Sequence, residues 1–193
     1  MNFTTVYVGF IIISSIHRIR ALTRAYSMND EEDEIEVKKT LSYVIMLFLY
    51  LVIFLGAPLE YFFVDYPKKV SLGISLIGFI LYVLVIPLRN RAVSALGKFM
   101  SPDIEIKKNH TLIKNGPYKH IRHPLALCII LEAISLCLIP NSWLSLLFAI
   151  IFFIPFVFFR MHLEEKAMIG KFGEEYLEYK RTTGCFIPKI RRR

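Results

Sequence analysis

The 193-residue sequence predicts an all-α integral membrane protein with about five transmembrane helices. Three observations carry that reading. Hydrophobic residues make up 55% of the chain and mean hydropathy is +0.49, beyond the roughly 45–50% apolar content of soluble domains. The apolar residues gather into long runs, and the charged 21% falls between them. Finally, Lys and Arg segregate. With five spans, segments 17–40, 89–124 and 160–193 share one side and hold 5, 8 and 9 of the 24 basic residues, leaving only Lys68 and Lys69 opposite. A miscount by one span would destroy that segregation. It places the N-terminus outside and the long loop and tail in the cytoplasm.

The first run, 1–16, is short for a span and lacks the basic leader of a secretory signal, so it reads as a retained anchor. His17, Arg18, Arg20 and Arg24 follow it, and the acidic run at 30–34 with Glu36 reads as a solvated loop. Residues 41–64 form a 24-residue apolar run, above the ~20 that a bilayer core requires, with Glu60 near its end. A turn at 65–69 leads to the third run, 70–88, where Pro87 is expected to kink or stop the helix.

Segment 89–124 is the one long interior polar stretch. Runs 125–139 and 143–159 are joined at Pro140-Asn-Ser142 and read as a tight helical hairpin, the second broken by Pro155. From Arg160 the chain is charged and helix-forming to Lys180, ending at Thr182-Thr-Gly184. The length suits one domain, 1–193, with N-terminal helices in 1–100 and a pocket-building half in 101–193.

The net charge of +8 is explained by membrane orientation, and nucleic acid is not an expected partner; the lipid bilayer is. The three cysteines, Cys128, Cys137 and Cys185, lack metal spacing, and no metal site is expected. No Gly-rich nucleotide loop and no serine-hydrolase set is present.

The polar loop and the tail are tethered to the two ends of one hairpin and so must be neighbours. Their candidate residues are His110, Tyr118, His120, Arg122, His123, Arg160, His162, Glu164 and Glu165. Arg160 and Glu164, at i,i+4, share a helix face and present a cation and an anion to one cleft. His123-Pro124 starts a helix whose first N–H groups are open to a carboxylate. The same residues also suit plain interfacial anchoring. Glu132, inside an apolar run, is expected to face the bundle and to pair with Arg89 or Arg91 or be protonated.

In order and spacing, His110-Thr-Leu-Ile113, Gly116-Pro-Tyr118, Arg122-His-Pro124, Glu164-Glu165, Phe172-Gly-Glu-Glu-Tyr-Leu-Glu-Tyr179 and Thr183-Gly-Cys-Phe-Ile-Pro188 resemble a known pattern. It is that of the isoprenylcysteine carboxyl methyltransferase family and the related phospholipid N-methyltransferases. The resemblance covers about residues 107–190. It implies a membrane methyltransferase using S-adenosylmethionine, giving S-adenosylhomocysteine as product, with a cytosol-facing cofactor pocket. By motif, His110, Ile113, Tyr118, His123, Pro124, Leu125, Ala126 and Glu164 would bind the cofactor, Glu164 taking its ammonium group. Arg160 would hold the carboxylate of a lipophilic or lipid-modified substrate. The implied membrane is the plasma membrane in a prokaryote or the endoplasmic reticulum in a eukaryote. The chain departs from the pattern at Ala126 and Cys128, where the family usually has Tyr and often Gly. Three other readings stay open: a phospholipid amine acceptor, which needs a base such as His120 or His162; a non-catalytic scaffold; and, through a shared C-terminal architecture, a sterol-reductase-like enzyme.

Overall fold

A computed structural model describes residues 2–27, 35–64, 70–101, 103–107 and 109–189. The acidic run at 30–34 and the turn at 65–69 lie outside the described residues. Among the described residues seven α-helices run in chain order: α1 Phe3–Ser27, α2 Thr40–Phe63, α3 Leu72–Leu96, α4 Pro124–Leu138, α5 Trp143–Phe148, α6 Ile154–Phe172 and α7 Glu174–Thr182. A π-helical turn, Ala149–Phe153, joins α5 to α6 into one rod, Trp143–Phe172.

The all-α membrane class holds, with one small addition. Strands β1 (Ile35–Lys39) and β2 (Ile104–Lys107) pair antiparallel, Lys39 opposite Ile104, and tie the start of α2 to the interior loop. Three helices are long and apolar enough to cross a bilayer: Thr40–Phe63, Leu72–Phe99 and Trp143–Phe172. The other two expected spans, Phe3–Ile16 and Pro124–Leu138, are shorter apolar helices. At 1.5 Å per residue α4 is about 22 Å long against a core of about 30 Å. The 30-residue rod reaches about 45 Å, so its charged end projects beyond an apolar layer that its first two-thirds would fill.

Two proline expectations need correction. Helix α3 does not stop at Pro87 but continues to Leu96, so the polar segment begins as helix rather than loop. Pro155 does not break its helix either. It has no N–H for the Ile151 carbonyl, and the π-helical turn directly before it absorbs the misfit. The expected helix 160–180 is interrupted at Gly173, whose φ of +52° lies in the left-handed region.

The core is built of Tyr7, Phe10, Tyr50, Ile53, Tyr82, Phe153 and Val157 with apolar residues of α4. Helix α1 joins it by ring contacts, Phe10 to Tyr82 at 4.9 Å and Tyr7 to Tyr61 at 5.1 Å. Helices α3 and α4 approach closely at Gly78, where a Cβ would meet the Leu138 Cβ at 2.9 Å. The 140–142 turn is locked by polar side chains. Asn141, at φ +58°, donates to Ser75 Oγ at 2.9 Å and accepts from the Ser71 amide at 2.9 Å. The Glu60 carboxylate accepts from the amides of Leu144 (3.0 Å) and Ser145 (2.8 Å), closing the start of α5.

Glu132 pairs with Arg89 in a two-pronged ion pair, Arg89 Nη1 to Oε1 at 3.2 Å and Nη2 to Oε2, with both residues buried. That settles the expected choice of partner. Removing one member leaves a buried charge uncompensated. Glu132→Ala should therefore lower unfolding stability in detergent by about 3–5 kcal/mol, and Arg89→Met with Glu132→Leu should recover most of it. Thermal unfolding of the purified variants checks both.

Candidate active site

A cavity of about 270 Å³ opens where α2, α3, the 99–126 segment, α6 and α7 meet. Its walls follow from the helix ends. Helix α6 leaves its apolar stretch at Arg160, so that its next turns place Arg160, Glu164 and Met168 on the cavity. Helix α4 starts at Pro124 with His123 as N-cap, and Pro124 lacks an N–H. The amides of Leu125 and Ala126 then have no partner within the helix, and both residues line the cavity.

The residues assigned to the cofactor or acceptor by motif converge there with one exception. His110, Ile113, Tyr118, His123, Leu125, Ala126, Arg160 and Glu164 all line the cavity. Pro124 does not: it is fully buried and its contribution is to start α4. His120 and His162 are exposed and absent from the lining. Cys128 is also absent. It is fully buried with Sγ 3.9 Å from the Val85 carbonyl of α3.

Charges in the site are held by neighbours. Arg160 Nη1 donates to Ser42 Oγ of α2 at 2.9 Å, and its guanidinium lies 5.9 Å from the Tyr43 ring centroid. Glu164 lines the cavity with its side chain half exposed, Oε2 3.8 Å from His123 Nδ1. His110 stacks on Phe99 at 4.6 Å and meets Phe172 edge-on at 5.9 Å, which makes a flat aromatic wall. Burial, and secondarily the Glu164 charge, pushes the Tyr118 phenol well above its usual range. Burial likewise pushes the Tyr179 phenol up to about 12, so at neutral pH it remains a donor and gives its proton to the Tyr118 carbonyl at 2.6 Å.

Several contributions were not assigned from sequence. Glu165 accepts from Arg122 Nε at 2.9 Å and Lys180 Nζ at 2.6 Å, and lies 3.1 Å from His123 Nε2. It binds the loop, α6 and α7 together. Ser42, Tyr43, Met46 and Tyr50 bring α2 into the site. Arg89, paired with Glu132, forms part of the same wall. For α2 the sequence held no signal, because one serine and one tyrosine at the end of an apolar run are unremarkable.

The tail returns over the loop. The Arg122 amide donates to the Gly184 carbonyl at 2.8 Å, the His123 amide to that of Cys185 at 3.3 Å, and the Arg122 guanidinium to Thr183. Gly184 has no room for a side chain, since a Cβ there would lie 1.8 Å from the Ile187 carbonyl. Gly184→Ala should therefore open this seam. Amide hydrogen exchange at Arg122 and His123 should quicken about tenfold or more, the loss of roughly one hydrogen bond. Unchanged protection would show that the tail does not hold the loop.

Residues 76–170 match the model of the isoprenylcysteine carboxyl methyltransferase (ICMT) family. A protein-S-isoprenylcysteine O-methyltransferase of Saccharomyces cerevisiae is 35% identical over 118 residues, covering 60% of this chain and 49% of that protein. Its counterpart in Schizosaccharomyces pombe is 28% identical over 106 residues, 53% of this chain and 44% of that protein. The cobalt-zinc-cadmium resistance protein CzcN of Cupriavidus metallidurans is 34% identical over 89 residues, 44% of this chain and 38% of that protein. The matches thus span about half or less of each relative's length.

Proposed function

Because the chain belongs, through residues 76–170, to the isoprenylcysteine carboxyl methyltransferase family, we propose that it is an S-adenosylmethionine-dependent methyltransferase. On this reading it acts on the carboxyl group of a lipophilic or lipid-modified acceptor. The observation that carries the reading is the placing of Arg160 and Glu164, one helical turn apart and opposite in charge, on one cavity wall. The remaining lining is chiefly aromatic and aliphatic.

The donor set fits the cofactor. Glu164 offers a carboxylate to its ammonium group, the open amides at the start of α4 suit its carboxylate, and the His110, Phe99 and Tyr118 rings suit a flat base. When bound, it supplies a methyl group already activated by a sulfonium. The protein then has two tasks: to orient the acceptor carboxylate and to strip its water. Arg160 does the first, itself fixed by Ser42. Met46, Leu47, Ile129 and Val157 do the second and line a path for an apolar chain. A carboxylate is ionised at neutral pH and has no proton to remove. A protonated amine does: neither His120 nor His162 lines the cavity to take it, and the two histidines that do, His110 and His123, are stacked on Phe99 and set against Glu165. That favours the carboxyl acceptor over the phospholipid amine.

Binding of S-adenosylhomocysteine and turnover separate the two charged residues. Glu164→Ala should weaken S-adenosylhomocysteine binding about 10- to 100-fold, the worth of a charged hydrogen bond. Arg160→Ala should leave that binding intact and abolish methyl transfer to a prenylated cysteine analogue. Phosphatidylethanolamine, assayed alongside, should not be methylated. Equal loss of both functions in the Arg160 variant would refute its role, and no S-adenosylhomocysteine binding by the unaltered protein would refute the reading.

The segregated basic residues support a cytoplasm-facing cavity and five crossings, with α1 and α4 as the short ones. Reporter tags placed at residues 1 and 193 should then appear on opposite sides of the membrane. Two cytoplasmic tags would rule out five crossings.

A further inference from the structure

We propose that a second groove, separate from the cavity, binds the headgroup of an anionic phospholipid. The groove lies between the end of α3, the 115–121 turn and the returning tail, and it shares no lining residue with the cavity. Part of its lining is apolar, with Leu88, Ile121, Phe186 and Pro188. The rest includes Arg91 and His120, both exposed, with Asn90 and Asn115.

Helix α3 sets the direction of the ligand. Ile77, Ile80, Leu84, Leu88 and Arg91 recur at intervals of three and four and so form a single stripe along the helix. The first three are exposed, although the helix is apolar enough to lie in a bilayer. The stripe thus runs from bare aliphatic surface through a half-buried leucine to a guanidinium. An acyl chain lying on it brings its phosphate to Arg91, with His120 facing from the turn. Gly116 presses this turn onto α3: a Cβ there would come within 3.2 Å of Ala95. The opposite wall is therefore held in place by packing.

The lining also selects the headgroup. Among the described residues no Asp or Glu lines the groove, whereas Asp103 and Glu164 line the cavity. A zwitterionic lipid would bring a choline or ethanolamine cation toward Arg91 with no carboxylate to receive it. A headgroup with net negative charge meets the Arg91 guanidinium, the His120 ring, two side-chain amides and a serine hydroxyl.

Native mass spectrometry of the full chain in detergent tests this, with dioleoylphosphatidylglycerol and dioleoylphosphatidylcholine as probes. The wild type should hold one phosphatidylglycerol at least about fivefold more tightly than phosphatidylcholine, in line with one basic contact near a membrane surface. Arg91→Gln should lose about fivefold in phosphatidylglycerol affinity, and His120→Gln on the other wall should weaken it too. Lys166→Gln, which removes an exposed charge from α6 outside the groove, should change nothing. Equal retention of the two lipids, or no effect in both groove variants, overturns the proposal. So does a loss in the Lys166 variant matching that at Arg91, which would mean plain surface charge. Displacement by an equal concentration of inorganic phosphate would overturn the lipid assignment and leave a simple anion site.

Discussion

The site depends on one carboxylate. Glu165 sits on α6 just beyond its apolar stretch, and three cationic or hydrogen-bonding groups converge on it: Arg122, His123 and Lys180. Arg122 and His123 come from the loop before α4, and Lys180 from α7. Three chain segments are therefore joined by charge at one carboxylate. The clamp leaves its neighbour Glu164 on the cavity. It also fixes the direction of His123, the N-cap from which α4 begins. Without Glu165 the loop would keep to α6 only the longer contacts of His110 with Phe172 and of His123 with Glu164.

Much of this was legible in the sequence, for specific reasons. Hydrophobic runs and charge segregation reveal spans because lipid contact demands apolar residues over a known length. The hairpin follows from Pro140-Asn-Ser142, and it made the meeting of the loop and α6 a matter of topology. At two prolines the local rule overstated the break. A helix supported by neighbours can run through Pro87, and Pro155 is absorbed by a wider turn. Local rules see the missing N–H but not the surrounding packing. The contributions of α2 were invisible because they are tertiary: Ser42 matters only once Arg160 lies 2.9 Å away. The role of Glu165 was hidden because a Glu-Glu pair does not say which member faces the cavity and which the clamp.

The two departures from the family pattern separate physically. Cys128 is fully buried against α3 and absent from the cavity lining, so its exchange for glycine is a matter of helix packing. Ala126 lies two residues earlier in the same helix and does line the cavity. In place of a tyrosine it removes a large ring from a wall that Ile129 and Leu125 share. Against the pattern that the sequence resembles, Ala126 thus changes the space within the cavity, and Cys128 does not line it.

The rod from Trp143 to Phe172 is apolar enough to cross a bilayer and also walls the cavity, and its geometry shows how. Ser145, Ala149, Phe153, Val157, Met161 and Glu165 are all buried, at a strict interval of four over twenty residues. A straight α-helix cannot keep such a row on one face, since each step of four overshoots a 3.6-residue turn by about 40°. Five steps would carry the row about 200° around the axis. The π-helical turn at Ala149–Phe153 is wider and turns the row back before Pro155 restores α-geometry. Phe153 and Val157 can then stay in the core while Met161 and Glu165, one and two turns on, still face the bundle. Arg160 and Glu164, each one residue ahead of this row, fall on the cavity as a consequence. The irregularity lies deep in the apolar stretch, about two turns before the first charged residue, yet it decides which way that charge points.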